Sequence, residues 1–359
     1  MLCILLSASA LCYNPPSKIL RPETARNRTL DQVFINMPNP SGEYTPTLWL
    51  PDGHTQTLYP YFFAPRPKLA YRRERWELPD GDFLDLDWLD NAAEQPLLVI
   101  FHGLEGDSRG YYVLALMQRA QQLGWRGVAV NFRGCSGEPN RLPRAYFAGD
   151  SAEIGYVLTR LRRQFPHDTI FSAGFSLGAN ALLLWLGEQG ERALAIIQAA
   201  AAISAPLDLT AAGNALDRGL TRWLYTRHFL KTLKRTALQK LQRFPGLYDA
   251  NKVRAATTLR EFDEVVTAPL HGYASTDDYW HRASSLPGLA QISVPTLVLN
   301  ARNDPFVPGS SLPESSQVSA AVTLDFPDYG GHVGFPSGVL PGKNDWLSSR
   351  IMTYLQAQR

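Results

Sequence analysis

A chain of 359 residues with 45% hydrophobic and 19% charged positions can bury a sizeable core, which excludes a wholly disordered protein. The formal net charge of +2 gives no global attraction for nucleic acid. The cysteines, Cys3, Cys12 and Cys135, are too few for a disulfide framework and form no C-x-x-C pair, so a reducing, cytoplasmic compartment fits.

Met1 to Leu11 is apolar, but it lacks a basic start and is too short to span a bilayer. Residues 13 to 42 are rich in Pro, Arg, Asn and Ser, so residues 1 to 42 are expected to be a disordered extension. Met37 precedes the part that looks ordered, and residues 1 to 36 read as an upstream extension or a start-site artefact. The alternative is a weak targeting segment over residues 1 to 12, making the protein membrane-associated or exported. Thr47 to Phe63 is aromatic without a regular period and is expected to wrap the domain surface irregularly. Its His54, Gln56 and Thr57 are expected to serve a structural hydrogen-bond network.

Tyr71 to Leu78 and Phe83 to Leu89 flank Pro79-Asp80-Gly81-Asp82, which predicts a hairpin. Leu84, Leu86 and Trp88 alternate with Asp85 and Asp87, which predicts one buried and one wet face. Beyond it the pattern changes. Leu97 to Phe101 is a continuous apolar run, as in a strand covered on both sides. Tyr112 to Leu123 has helical periodicity, Gly127 to Asn131 is a strand, and Asp150 to Arg163 is a helix capped by Asp150 or Ser151. Further strands are expected at Thr169 to Phe171, Ile196 to Ser204, Val294 to Asn300 and Val322 to Phe326, with a closing helix from Asp345 to Gln356. Strands alternating with helices predict an α/β fold, a mainly parallel sheet with helices on both faces. Residues 207 to 290 hold helical runs and no buried-type strand. They read as a helical cap inserted into a core made of residues 43 to 206 and 291 to 359.

The chemistry centres on Gly174-Phe175-Ser176-Leu177-Gly178, set between a strand and a helix. A turn this tight strains the serine backbone and lifts its Oγ clear of the sheet, and the serine stands at a helix N-terminus. Serine alone is a weak nucleophile and needs a base, and the base needs an orienting acid. His332 lies in a glycine-rich loop after the last strand. Asp304 follows the preceding strand, at the same carboxyl edge, where ligand sites in such sheets form. The chain order Ser176, Asp304, His332 is the one that this geometry uses. Asp325, within the last strand, and Asp328, too close in sequence to His332, are weaker candidates for the acid. His102-Gly103-Leu104-Glu105-Gly106 follows another strand, so the N–H groups of Leu104 and Leu177 are the expected oxyanion donors. His102 is expected to brace that loop, Glu105 and Asp107 to be solvated, and Cys135 to be an inert small residue. No metal, nucleotide or dinucleotide motif occurs, and the chemistry needs no cofactor. The cap is basic, from Arg218 through Arg222, Arg227, Lys231, Lys234, Arg235 and Lys240 to Arg243, with Trp223, Leu224 and Leu230 interleaved. An ordinary solvated helix face is favoured there over a weak contact with anionic membrane surfaces.

Together these residues resemble the α/β-hydrolase superfamily, and more narrowly the YheT-like esterases of the AB hydrolase 4 family, from about Thr47 to the C-terminus. The resemblance is carried by Gly53-His54-Thr55-Gln56-Thr57, Leu78 to Asp82, His102 to Gly106, Asn131 to Gly137, the serine turn, and Phe262-Asp263 with Tyr273-Ala274-Ser275. It implies charge-relay residues at Ser176, Asp304 and His332, with esterase or lipase-like activity on acyl esters. The family often has a histidine where Phe147 stands. The expectation is a serine carboxylic-ester hydrolase for short- to medium-chain acyl esters, lipid-derived ones such as monoacylglycerols included. Acyl transfer by the same triad and a catalytically silent binding module are the alternatives.

Overall fold

The computed structural model describes residues 43–91 and 95–359. The expectations for residues 1–42, with Cys3, Cys12, Met37 and the targeting segment, lie outside the described residues.

The strands are β1 (Arg72–Glu77), β2 (Phe83–Leu89), β3 (Leu97–Phe101), β4 (Arg126–Asn131), β5 (Ile170–Phe175), β6 (Ala199–Ile203), β7 (Thr296–Leu299) and β8 (Val322–Asp325). They form one sheet in the order β1-β2-β4-β3-β5-β6-β7-β8. β2 runs antiparallel to both β1 and β4, and the other pairings are parallel. The helices used below are α1 (Gly53–Phe63), α2 (Tyr111–Gln122), α3 (Ser151–Gln164), α4 (Leu177–Gln189), α5 (Leu209–Leu216), α6 (Arg227–Arg243), α7 (Ala250–Ala255), α8 (Thr276–Ala283) and α9 (Trp346–Ala357).

Every residue of β3, β5 and β6 is buried. Leu97, Val99 and Phe101 enter a core shared with α3 and α4, whereas Leu98 and Ile100 enter one shared with α2 and α9. Covering both faces explains the unbroken apolar run, because successive side chains point to opposite sides. Burying a large apolar side chain stabilises by roughly 1.5–3 kcal/mol. That offsets the roughly 1–2 kcal/mol lost in ordering each residue's backbone.

Two expectations fail in the N-terminal part. Thr47 to Phe63 is not irregular throughout, since α1 occupies its second half. Asp52 caps that helix by accepting from the Thr55 N–H while the Thr55 hydroxyl answers at the Asp52 backbone, and Pro60 inside the helix masked the pattern. The Asp85–Asp87 face of the hairpin is not wet either: these side chains are 1% and 2% exposed. The hairpin register sets Arg75 opposite Asp85 and Arg73 opposite Asp87. Each arginine forks onto its aspartate at 2.7–2.8 Å. A third difference is small. Ser151 starts α3 and Asp150 stands at its cap, but the Asp150 side chain pairs with Arg144 instead of capping.

Between β6 and β7 the described elements are all helical. Leu230, Ala237, Val253, Leu259, Phe262 and Val266 give this insertion a small core of its own. Its last part joins the main body, since Tyr279, Trp280 and Ala283 pack into the α3–α4 core. Asn180 on α4 ties that seam, donating to the carbonyls of Ala148 at 2.9 Å and Ala283 at 2.8 Å. The basic run also divides. Lys240 donates to the carbonyls of Pro143 and Arg144, and burial pushes its ammonium down to about 8, so this end is docked and not solvated. Among the described residues no helix is long and apolar enough to cross a membrane.

Candidate active site

Ser176 ends β5 and begins α4 with φ 51° and ψ −118°, a conformation costly for a residue with a Cβ. The surroundings hold it there. Its N–H donates to the Ile203 carbonyl on β6 at 2.8 Å, and α4 starts immediately afterwards. Gly178 is obligatory in that first turn, because a Cβ would lie 2.4 Å from the His102 carbonyl oxygen. The His102–Leu104 loop is therefore pressed directly against the serine turn.

His332 reaches Ser176 from the loop after β8. Its Nε2 lies 2.9 Å from Ser176 Oγ, and its Nδ1 lies 2.8 Å from Asp304 Oδ2. Asp304 follows β7, is 5% exposed, and turns its other oxygen to the N–H groups of Phe306 at 2.8 Å and Val307 at 3.2 Å. The three side chains predicted from spacing are thus brought into one hydrogen-bonded line. With the Nδ1 proton held by Asp304, Nε2 faces Oγ as an acceptor. Asp325 pairs with Arg350 and Asp328 with Arg302, and neither bonds His332.

The loop carrying His332 is fastened by α1. Thr57 Oγ1 accepts the His332 N–H at 2.8 Å and donates to the Gly53 carbonyl at 2.6 Å. Gln56 accepts from Gly330 N–H at 2.8 Å and from Asn303 at 2.9 Å, and donates to the Leu50 carbonyl. Gly331 has φ 64°, and a Cβ there would sit 2.7 Å from Gly53 O and from Thr57 Oγ1. The expectation of a structural network for Gln56 and Thr57 holds, and it bears directly on the site. His54 instead turns to Tyr225 of the insertion, with Nδ1 3.2 Å from the tyrosine hydroxyl. Phe306 stacks on the His332 ring at 4.1 Å and is packed in turn by Tyr225.

In the loop after β3, the Gly103 N–H donates to Tyr112 and the Glu105 N–H to Tyr146. Among the described residues the N–H groups of Leu104 and Leu177 have no acceptor. His102 braces the loop as expected. Its Nδ1 meets the Gly103 carbonyl at 2.8 Å and its Nε2 accepts the Phe132 N–H at 3.1 Å. Burial pushes this imidazole down to about 4, so it stays neutral. Glu105 is not simply solvated: it is half-buried and accepts from the Tyr146 hydroxyl at 3.0 Å. Asp107 accepts from the Arg109 N–H. Burial raises the Cys135 thiol well above its ordinary value, which keeps it unreactive. Tyr112, Tyr146 and Phe306 organise the site without any motif that could have announced them. Among the described residues no group of three or more His, Cys, Asp or Glu is placed to hold a metal ion.

A sheet of this order with these groups at its carboxyl edge defines an α/β-hydrolase, and the chain belongs to that family, whose model, described as the alpha/beta hydrolase fold, matches residues 96–339. It is a hydrolase, and its relatives place it in the YheT-like branch. It is 39% identical over 327 residues to the Escherichia coli protein named "Putative esterase YheT", covering 89% of this chain and 95% of that one. The human protein named Phospholipase ABHD3 is 32% identical, with 88% of this chain and 78% of that one covered. Monoacylglycerol lipase of Saccharomyces cerevisiae is 32% identical over 74% of this chain and 59% of its own length. An esterase structure from Pyrococcus furiosus superposes with a TM-score of 0.54 at 18% identity, covering 82% of this chain and 97% of that one, which shows the shared fold.

Proposed function

We propose that this hydrolase is a serine carboxylic-ester hydrolase acting on short- to medium-chain acyl esters, lipid-derived ones such as monoacylglycerols among them. The observation that carries the reading is the unbroken line Ser176 Oγ, His332 Nε2, His332 Nδ1, Asp304 Oδ2, with contacts of 2.9 and 2.8 Å. Ser176 Oγ attacks the ester carbonyl as His332 Nε2 takes its proton. The tetrahedral oxyanion is met by the Leu104 and Leu177 N–H groups. His332 then protonates the leaving alcohol, leaving an acyl-serine. Water, deprotonated by His332, attacks the acyl-serine and frees the acid. Asp304 holds the imidazole tautomer and stabilises the imidazolium throughout. The helical insertion, residues 207 to 290, acts as a cap whose apolar side walls the acyl pocket. The names of the yeast and human relatives support lipid-derived esters as the substrate class. The low cysteine count supports a cytoplasmic location.

A fluorophosphonate probe tests the assignment. It should label the wild-type protein covalently and fail to label Ser176→Ala. Release of p-nitrophenol from acetate, butyrate and octanoate esters should be lost in the same variant. Labelling that survives Ser176→Ala would assign the nucleophile elsewhere.

A further inference from the structure

We propose that the exposed aromatic end of α1, together with the basic first turns of α6, is a docking surface for an anionic lipid bilayer. Tyr61, Phe62 and Phe63 close α1 and are 45%, 65% and 64% exposed. Consecutive helix residues point about 100° apart, so no single neighbour can cover all three, and here the helix end protrudes. The aromatic surface continues in both directions. Phe63 packs on Tyr59 at 5.1 Å and Tyr59 on Trp49 at 4.7 Å. Tyr59 and Trp49 each donate to a loop carbonyl, of Pro341 and Gly338. Between those anchors Val339 and Leu340 stand 87% and 68% exposed.

On the other side the Tyr61 ring meets His228 of α6 at 6.4 Å. His228 stands between Arg227 and Lys231, and these two line an open groove of about 570 Å³ with Arg222, Lys234, Trp223 and Leu230. Arg222 donates to the Thr257 carbonyl at 3.2 Å and Lys234 to the Arg254 carbonyl at 2.7 Å, whereas Arg227 and Lys231 are exposed and, among the described residues, have no carboxylate at ion-pair distance. Apolar rings beside the exposed cations Arg227 and Lys231 suit one environment well, the boundary of an anionic bilayer, where rings enter the headgroup layer and cations meet lipid phosphates. A second copy of this chain fits less well. In a twofold contact the groove would meet its own like charges. This surface does not depend on the ester-hydrolase reading, because it lies on side chains outside the Ser176 line.

The test is co-sedimentation of the full chain with phosphatidylcholine vesicles, with and without phosphatidylglycerol. The wild type should pellet with the phosphatidylglycerol vesicles and be released by high salt. Arg227→Glu with Lys231→Glu should lower partitioning by at least about thirty-fold, at about ten-fold for every 1.4 kcal/mol and about 1 kcal/mol per cation removed. Phe62→Ser with Phe63→Ser should abolish it. Both double variants should hydrolyse soluble p-nitrophenyl acetate as the wild type does, which shows that they fold. Failure of the wild type to bind phosphatidylglycerol vesicles overturns the proposal. So does retained binding by the Phe62/Phe63 variant. A change in the mass of the vesicle-free protein in that variant, with vesicle binding intact, assigns the face to a second copy and overturns it as well.

Discussion

The β1–β2 hairpin and the helical insertion both bury carboxylates, and they do so in opposite ways. In the hairpin, Asp85 and Asp87 lie directly across the ladder from Arg75 and Arg73. Burial alone would raise Asp87, but hydrogen bonds from Arg73, Ser108 and Asn131 outweigh it and hold the carboxyl below its ordinary value. In the insertion, Asp263 accepts from the Trp280 indole at 2.8 Å and the Thr267 hydroxyl at 2.6 Å, with no cation at ion-pair distance among the described residues. Burial pushes it up to about 6. A sheet repeats its register, so charges can be pinned in matched pairs. A set of short helices lacks that repeat and satisfies a buried acid with neutral donors. The proposed chemistry lies on the sheet side of this contrast, and the proposed acyl pocket borders the other.

The largest effect expected is on the sheet side. Ser176→Ala should lower kcat by about 10⁴-fold or more. It keeps a Cβ at φ 51°, so the backbone strain stays and the melting temperature should hardly move. Near wild-type turnover of a chromogenic ester would remove Ser176 from the mechanism. Next is Thr57→Val, which tests whether α1 serves the site. The change leaves the buried His332 N–H without its acceptor, a loss of about 1–3 kcal/mol. Both stability and kcat should fall while KM for p-nitrophenyl acetate stays nearly constant. A variant with unchanged kcat would mean that Thr57 only supports the fold.

The sheet strands were legible because burial on both faces writes an unbroken apolar run, as in Leu97 to Phe101. Ser176, Asp304 and His332 were legible as candidates because each follows a strand, at the end where this fold gathers its ligands. Asp85 and Asp87 were misread because alternation records only which residues share a face. Whether that face is wet depends on the partner strand, and Arg73 and Arg75 supplied the cover. Helix α1 was hidden by Pro60 and by aromatics on every side, three of which remain exposed. Tyr112 and Tyr146 were out of reach for another reason. Each meets the Gly103–Glu105 loop through tertiary packing, which leaves no trace at short sequence spacing.

The two regions should also respond to pH with opposite signs. The depressed carboxyls of Asp85 and Asp87 contribute stability that is present above about pH 4 and lost as pH falls further. Asp263 has a raised folded-state value, so its contribution is full below about pH 4 and is lost as pH rises through about 6. Asp263→Asn keeps an acceptor for Trp280 and a donor for Thr267 but cannot ionise. Urea unfolding should find the variant gaining on the wild type by on the order of 1 kcal/mol between about pH 5 and pH 7. A constant gap between the two proteins across that range would mean that Asp263 does not titrate there.

The smallest expected effect concerns what the insertion does for substrates. Leu224 and Phe229 pack beside Tyr225 and Phe306, and Phe306 lies flat on the His332 ring. An enlarged side chain at Leu224 therefore crowds the Phe306 side of the His332 ring and is expected to narrow the proposed acyl pocket there. One methylene in an apolar pocket discriminates by roughly 1–3 kcal/mol, and partial narrowing should yield less. Leu224→Trp should lower kcat/KM for p-nitrophenyl octanoate relative to acetate by about five-fold, with acetate turnover nearly unchanged. Arg227→Glu with Lys231→Glu, on the outer side of the same region, should leave that ratio alone. If the ratio moves in the charge variant and not in Leu224→Trp, the insertion acts through its outer face and does not wall the acyl pocket. If acetate and octanoate fall together in Leu224→Trp, the substitution has disturbed Phe306 and His332, and the insertion is coupled to the line from Ser176 to Asp304 through that stacked pair.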